Sequence, residues 1–102
     1  MHPIIEAKRQ EVAELCRRSG VNRLEVFGSA ARDDFDDARS DIDFLVDLDT
    51  ASKISPLDAY FGLKDALEAI FGRSVDLVSE GSVANPYVLA TIERDRQQIY
   101  PT

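Results

Sequence analysis

The sequence predicts a small α/β (α+β) domain, a mixed β-sheet packed against helices. Three observations predict it. Helix-like and strand-like apolar patterns alternate along the chain. Two strand patterns, Ile42–Leu48 and Ser74–Ser79, flank a long helical stripe, which suits a crossover connection. The 102 residues, 44% apolar and 30% charged, suffice for one core and leave no room for a second lobe. Residues 1–102 are therefore expected to form a single domain.

The elements follow in order. Pro3–Ser19 carries Ile5, Val12, Leu15 and Cys16 near one face, with charges between them, and predicts a helix. Pro3 suits its first turn, and Gly20 suits the residue just past its end. Arg23–Phe27 predicts a short strand, broken by Gly28-Ser29. Ser29–Arg32 is expected to start a short helix, and the acidic stretch Asp33–Ser40 to be a loop. In Ile42–Leu48, residues Ile42, Phe44, Val46 and Leu48 share one face, while Asp41, Asp43, Leu45 and Asp47 share the other.

Ser55 is expected to cap the next helix, with Pro56 at its first position and Asp58 near the positive end of its dipole. Leu57, Tyr60, Leu63, Leu67, Ile70 and Phe71 form the stripe, and Gly72 ends it. Tyr60, Phe61 and Phe71 lie at helical spacing, which favours a core role over a base-stacking platform. Ser74–Ser79 is the third strand, Gly81–Pro86 a loop, Tyr87–Arg94 a last helix and Gln98–Tyr100 a final extended piece.

Several function classes are excluded early. The net charge is -7, which argues against a broad electrostatic grip on nucleic acid. Cys16 is the only cysteine and His2 the only histidine, so an intrachain disulfide and a Cys/His zinc site have no residues to form them, and a Cys-His nucleophile pair is not expected. Cys16 suits the core as a small apolar residue. No apolar run approaches membrane length, so no membrane role is expected, and the cytoplasm is the expected compartment.

The residues that suggest chemistry lie between Val26 and Val46, with one further on. Asp41 and Asp43 are two apart at the head of a strand, so both carboxylates point to one side. Magnesium takes hard oxygen ligands, commonly one or two carboxylates plus substrate phosphates. A bare Asp-x-Asp is also common on solvated surfaces. Asp76, between Val75 and Leu77, adds a third carboxylate if its strand lies beside that of Asp43. Three carboxylates can bridge two ions about 3.5–4 Å apart. Gly28-Ser29 lies between a strand and a helix start, where backbone N–H groups and a hydroxyl can approach a phosphate. Arg32 and Arg39 flank the site, and each suits either triphosphate charge or an ion pair with a nearby aspartate. Asp47 is too far along its strand to share the same metals. Asp33, Asp34, Asp36 and Asp37 lack the spacing of an EF-hand loop. Tyr87 and Tyr100 receive no role.

With these motifs, the chain resembles the minimal nucleotidyltransferases of the DNA polymerase β-like superfamily. The matching segments are Phe27-Gly28-Ser29-Ala30-Ala31-Arg32, then Ser40-Asp41-Ile42-Asp43-Phe44-Leu45-Val46, then Val75-Asp76-Leu77-Val78. The resemblance implies the polymerase β-like nucleotidyltransferase fold. It implies Asp41, Asp43 and Asp76 as catalytic residues and ligands of Mg²⁺, with two ions. It implies ATP as substrate, its triphosphate held by Gly28 and Ser29, with Arg32 beside them. The implied reaction transfers AMP to a hydroxyl, with Asp76 helping to activate it. Small members of this kind pair with a HEPN-type toxin as its antitoxin, which implies a protein acceptor. Two departures stand out. Asp33 occupies a position where many relatives have glycine, and eleven residues separate Gly28-Ser29 from Asp41, where ten is frequent. Two other readings stay open: an antitoxin that masks its toxin by binding alone, and transfer to a small molecule such as an aminoglycoside.

Overall fold

A computed structural model describes residues 2–32, 41–49 and 55–101. Their elements run α1 (Pro3–Ala7), α2 (Arg9–Arg18), β1 (Val21–Phe27), α3 (Ser29–Arg32), β2 (Ile42–Leu48), α4 (Pro56–Phe71), β3 (Val75–Ser79), α5 (Pro86–Asp95) and β4 (Gln97–Tyr100). The strands form one sheet in the order β3-β2-β1-β4. β1 is antiparallel to β2 and β4, and β2 is parallel to β3. The sheet is therefore mixed, and α4 is the crossover between the two parallel strands, as the apolar patterns predict.

One helix over Pro3–Ser19 is not what forms. Lys8, at φ -108° and ψ 7°, separates α1 from α2. The apolar pattern could not reveal the break. Ile5 and Val12 are seven residues apart, two helical turns, and both stay buried with the turn between them opened. β1 begins at Val21, two residues before the expected start. Its register against β2 shifts between Val21 and Arg23, and that irregularity destroys the alternation a sequence pattern needs.

The core lies on one face of the sheet. Val12, Leu15 and Cys16 of α2 and Leu63, Leu67 and Phe71 of α4 pack with Leu24, Val26, Ile42, Phe44, Val46 and Ile99 of the strands. Phe44 and Phe71 meet at a ring-centroid distance of 5.8 Å. Tyr60 donates its hydroxyl to the Leu77 carbonyl at 2.5 Å, fixing α4 to β3. Gly72 ends α4 in the left-handed conformation at φ 65°, as expected for a residue without a Cβ. Two expectations for α4 fail. Ser55 makes no side-chain capping bond, so Pro56 alone marks the start. Leu57 and Phe61 are 64% and 50% exposed, so the apolar stripe of α4 is not buried along its whole length.

The second face of the sheet is covered in part by α5. Ile92 and Leu45 are buried outside the main core, with Glu25 beneath them in the same strand layer. Asn85 caps α5 by accepting from the backbone N–H groups of Tyr87 and Val88. Among the described residues, no helix is long and apolar enough to cross a membrane.

Candidate functional site

The site forms where β1 ends beside the start of β2. β1 stops at Phe27, which pairs with Asp43. Gly28 follows at φ 72°, a conformation that a side chain makes costly. Its missing side chain matters for a second reason. A Cβ built on Gly28 would run into Oδ2 of Asp43. Only glycine lets this turn lie against that carboxylate. α3 starts at once, with Ala31 and Arg32 donating their backbone N–H groups back to the Gly28 carbonyl at 3.1 and 3.2 Å. Ala30 and Ala31 are buried, which seats the turn against the body of the protein.

The three predicted carboxylates come to one edge of the site. Asp43 of β2 is directly in register with Asp76 of β3. Asp41 lies one residue before β2 and is exposed. Asp43 is half-buried, and its carboxyl is pushed up from 3.8 to about 6. Burial is the main cause, followed by the negative charges of Asp76 and Asp41, while Arg32 opposes them. Asp76 is exposed rather than buried, so its strand tolerates it without a partner. Among the described residues, no three carboxylates close up to the spacing of a finished metal cluster. The chemistry nevertheless fits a hard cation. All donors are carboxylate oxygens, and burial and the negative charges around Asp43 outweigh the opposing charge of Arg32, an excess a divalent ion would balance.

The remaining candidates separate. Asp47 pairs in register with Arg23, away from Asp76. Arg32 donates Nη1 to Oδ2 of Asp95 at 2.5 Å, and its charge still reaches Asp43. Arg39, Asp33, Asp34, Asp36 and Asp37 lie outside the described residues. Tyr87 is 85% exposed, while Tyr100 packs against the core.

Sequence reasoning missed Asp95. Its carboxyl is held below the usual carboxylate range by hydrogen bonds from Arg94 and Arg32. The available signal was helical spacing: Ile92 and Asp95 are three apart and share the buried face of α5. A carboxylate on a buried face requires a partner.

A glycine turn lying against Asp43, itself in register with Asp76, on a mixed sheet with an α4 crossover, points to the nucleotidyltransferase class. The model of the nucleotidyltransferase domain family matches residues 8–99, and the chain belongs to that family. The chain is 38% identical over 80 residues to the protein adenylyltransferase MntA of Thermococcus cleftensis, covering 78% of this chain and 74% of that protein. A solved structure described as a minimal nucleotidyltransferase superposes with a TM-score of 0.76 at 36% identity, covering 95% of each chain. The fold also recurs in the complex of a tri-AMPylated Shewanella oneidensis HEPN toxin with its MNT antitoxin. There the TM-score is 0.63 at 21% identity, over 95% of this chain and 72% of that one. The resemblance to minimal nucleotidyltransferases drawn from the motifs holds.

Proposed function

We propose that this nucleotidyltransferase moves AMP from ATP to a hydroxyl side chain of a HEPN-type toxin, with Mg²⁺, and so acts as its antitoxin. The observation that carries the reading is Asp43, faced by Asp76 and overlain by the Cβ-less turn at Gly28. The protein adenylyltransferase activity named for the Thermococcus cleftensis relative supports the reaction. The modified toxin in the Shewanella oneidensis complex supports the class of acceptor.

In this reading Asp41, Asp43 and Asp76 hold Mg²⁺. When bound, the ion supplies charge neutralisation on the triphosphate and the attacking oxygen. The backbone of Gly28 and the Ser29 hydroxyl hold the phosphates, with Arg32 adding positive charge at the rim. The acceptor oxygen bonds to the α-phosphorus in line with the departing bridging oxygen. That P–O bond breaks, and pyrophosphate leaves. Asp76, exposed to solvent, takes the hydroxyl proton. The required work is positioning and charge balance, which suits a site without a protein nucleophile.

The test is incubation with ATP, Mg²⁺ and the product of the neighbouring gene, followed by intact mass of both. The expected result is a gain of one or more AMP units on the partner. An Asp41→Asn, Asp43→Asn variant should lose transfer by at least about a thousandfold. Transfer unchanged in that variant sinks the metal-site reading. A tight complex without mass gain turns the conclusion to masking by binding alone.

A further inference from the structure

The corner where α5 passes into β4 is tied to α3 at two points. Asp95, the last residue of α5, accepts from Nη1 of Arg32 at 2.5 Å. Gln97, the first residue of β4, donates its side-chain Nε2 to the Ala31 carbonyl at 3.3 Å. The backbone N–H of His2 also binds the Ala30 carbonyl, at 2.8 Å. The four residues of α3 are therefore held by segments from both extremes of the described chain.

The Asp95–Arg32 pair is asymmetric. The Asp95 side chain is 4% exposed, and that of Arg32 is 38% exposed. A carboxylate so enclosed is costly unless paired, and Asp95 is paired again by Nε of Arg94 at 3.2 Å. The buried partner is the fixed one, and Arg32 ends α3 directly after the turn, its backbone N–H bound to the Gly28 carbonyl at 3.2 Å. A long side chain gives up rotamer freedom when a ligand orders it. A side chain already anchored gives up less.

We propose that Asp95 is a positioning residue that holds the Arg32 guanidinium beside the Gly28-Ser29 turn, so that a nucleoside triphosphate meets a cation already in place. The inference rests on the proposed triphosphate role of that turn. Asp95 touches no reacting atom and acts through Arg32.

The experiment measures binding of a fluorescent, non-hydrolysable ATP analogue to the full chain with Mg²⁺. The native chain is compared with Arg32→Ala, Asp95→Ala, Asp95→Asn and the double variant Arg32→Ala, Asp95→Ala. Each alanine variant should weaken binding roughly tenfold, and the double variant should bind no more weakly than Arg32→Ala alone. Asp95→Asn should fall between the native chain and Asp95→Ala, because an amide still accepts from Nη1. A merely structural role lowers the melting temperature without this non-additivity. If Asp95→Ala does not fold, Asp95→Asn takes its place in the cycle. Additive losses overturn the proposal, as does unchanged binding in Asp95→Ala where Arg32→Ala is weakened. If Arg32→Ala binds like the native chain, the positioning role fails while the nucleotidyltransferase reading stands. If the native chain binds no analogue with Mg²⁺, the triphosphate reading itself fails, and the positioning role with it.

Discussion

Gly28 and Asp43 constrain each other. The turn adopts φ 72° and lies where a Cβ would strike the Asp43 carboxylate. A Gly28→Ala change combines two costs, the left-handed backbone and a displaced carboxylate. It should destabilise the protein by about 1–3 kcal/mol, read as the urea midpoint in chelator, and lower AMP transfer strongly. Native stability and transfer in this variant would remove the steric argument. Both residues were legible in the sequence, because a Gly-Ser break between a strand and a helix has few other uses beside an Asp-x-Asp. Asp95 was not legible. Its helical spacing from Ile92 hints at an inward face, but its partner Arg32 is 63 positions away, and no local pattern pairs the two.

At the level of elements, a cluster of charges joins β1, α5 and β4. Glu25 of β1 is 7% exposed and accepts two bonds from Arg96, from Nε at 2.7 Å and from Nη2 at 2.6 Å. Arg23 forms an ion pair with the same carboxylate, its Nε 2.9 Å away. Glu80, from the turn after β3, and Glu93, on α5, also pair with Arg96. The Arg96 hydrogen bonds hold the Glu25 carboxyl below its ordinary 4.5, against the opposing effect of burial. A depressed folded value means that the unfolded chain takes up the proton first as pH falls. The stabilisation is therefore complete above about pH 4.5 and is lost as pH drops through the lower folded value. Glu25→Gln should cost about 1.5–3 kcal/mol at pH 7 and flatten the acid limb of a urea-midpoint profile. An acid limb identical to the native one would place the responsible carboxylate elsewhere. The sequence reveals little of this cluster, since Glu25 and Arg96 are 71 residues apart. β2 and α4 were legible to their ends or nearly so, because their periods are unbroken and Pro56 and Gly72 punctuate the helix. The split at Lys8 and the early start of β1 were not, since neither disturbs which residues are apolar.

For the molecule as a whole, one core face holds the sheet, α2 and α4 together, and Cys16 lies inside it at 0% exposed. Burial pushes its thiol up to about 12, so the native protein presents almost no thiolate near neutral pH. Alkylation of Cys16 should be negligible in buffer and should rise in urea together with the loss of helical circular dichroism. Labelling well before that loss would mean that α2 opens as a separate unit. The core of α2, β2 and α4 was largely legible, apart from the exposed Leu57 and Phe61, whereas Val21, Ala30, Ala31 and Ile99 joined it without a signal in the apolar patterns. The strand order β3-β2-β1-β4 was less so, because apolar patterns mark strands without saying which ones pair.

The ties on α3 have a consequence for how the protein is made. Residues 21–48 contain the turn and two of the three acidic positions, and they leave the ribosome before the residues that brace the turn. Arg32 then waits for Asp95, and the Ala31 carbonyl waits for Gln97, 66 residues later. A nascent chain stopped before that point lacks the brace on the turn, however well its first hairpin has paired. Bracing of the turn thus follows synthesis of residues 95–97, and a chain stopped before them is left with its turn unbraced.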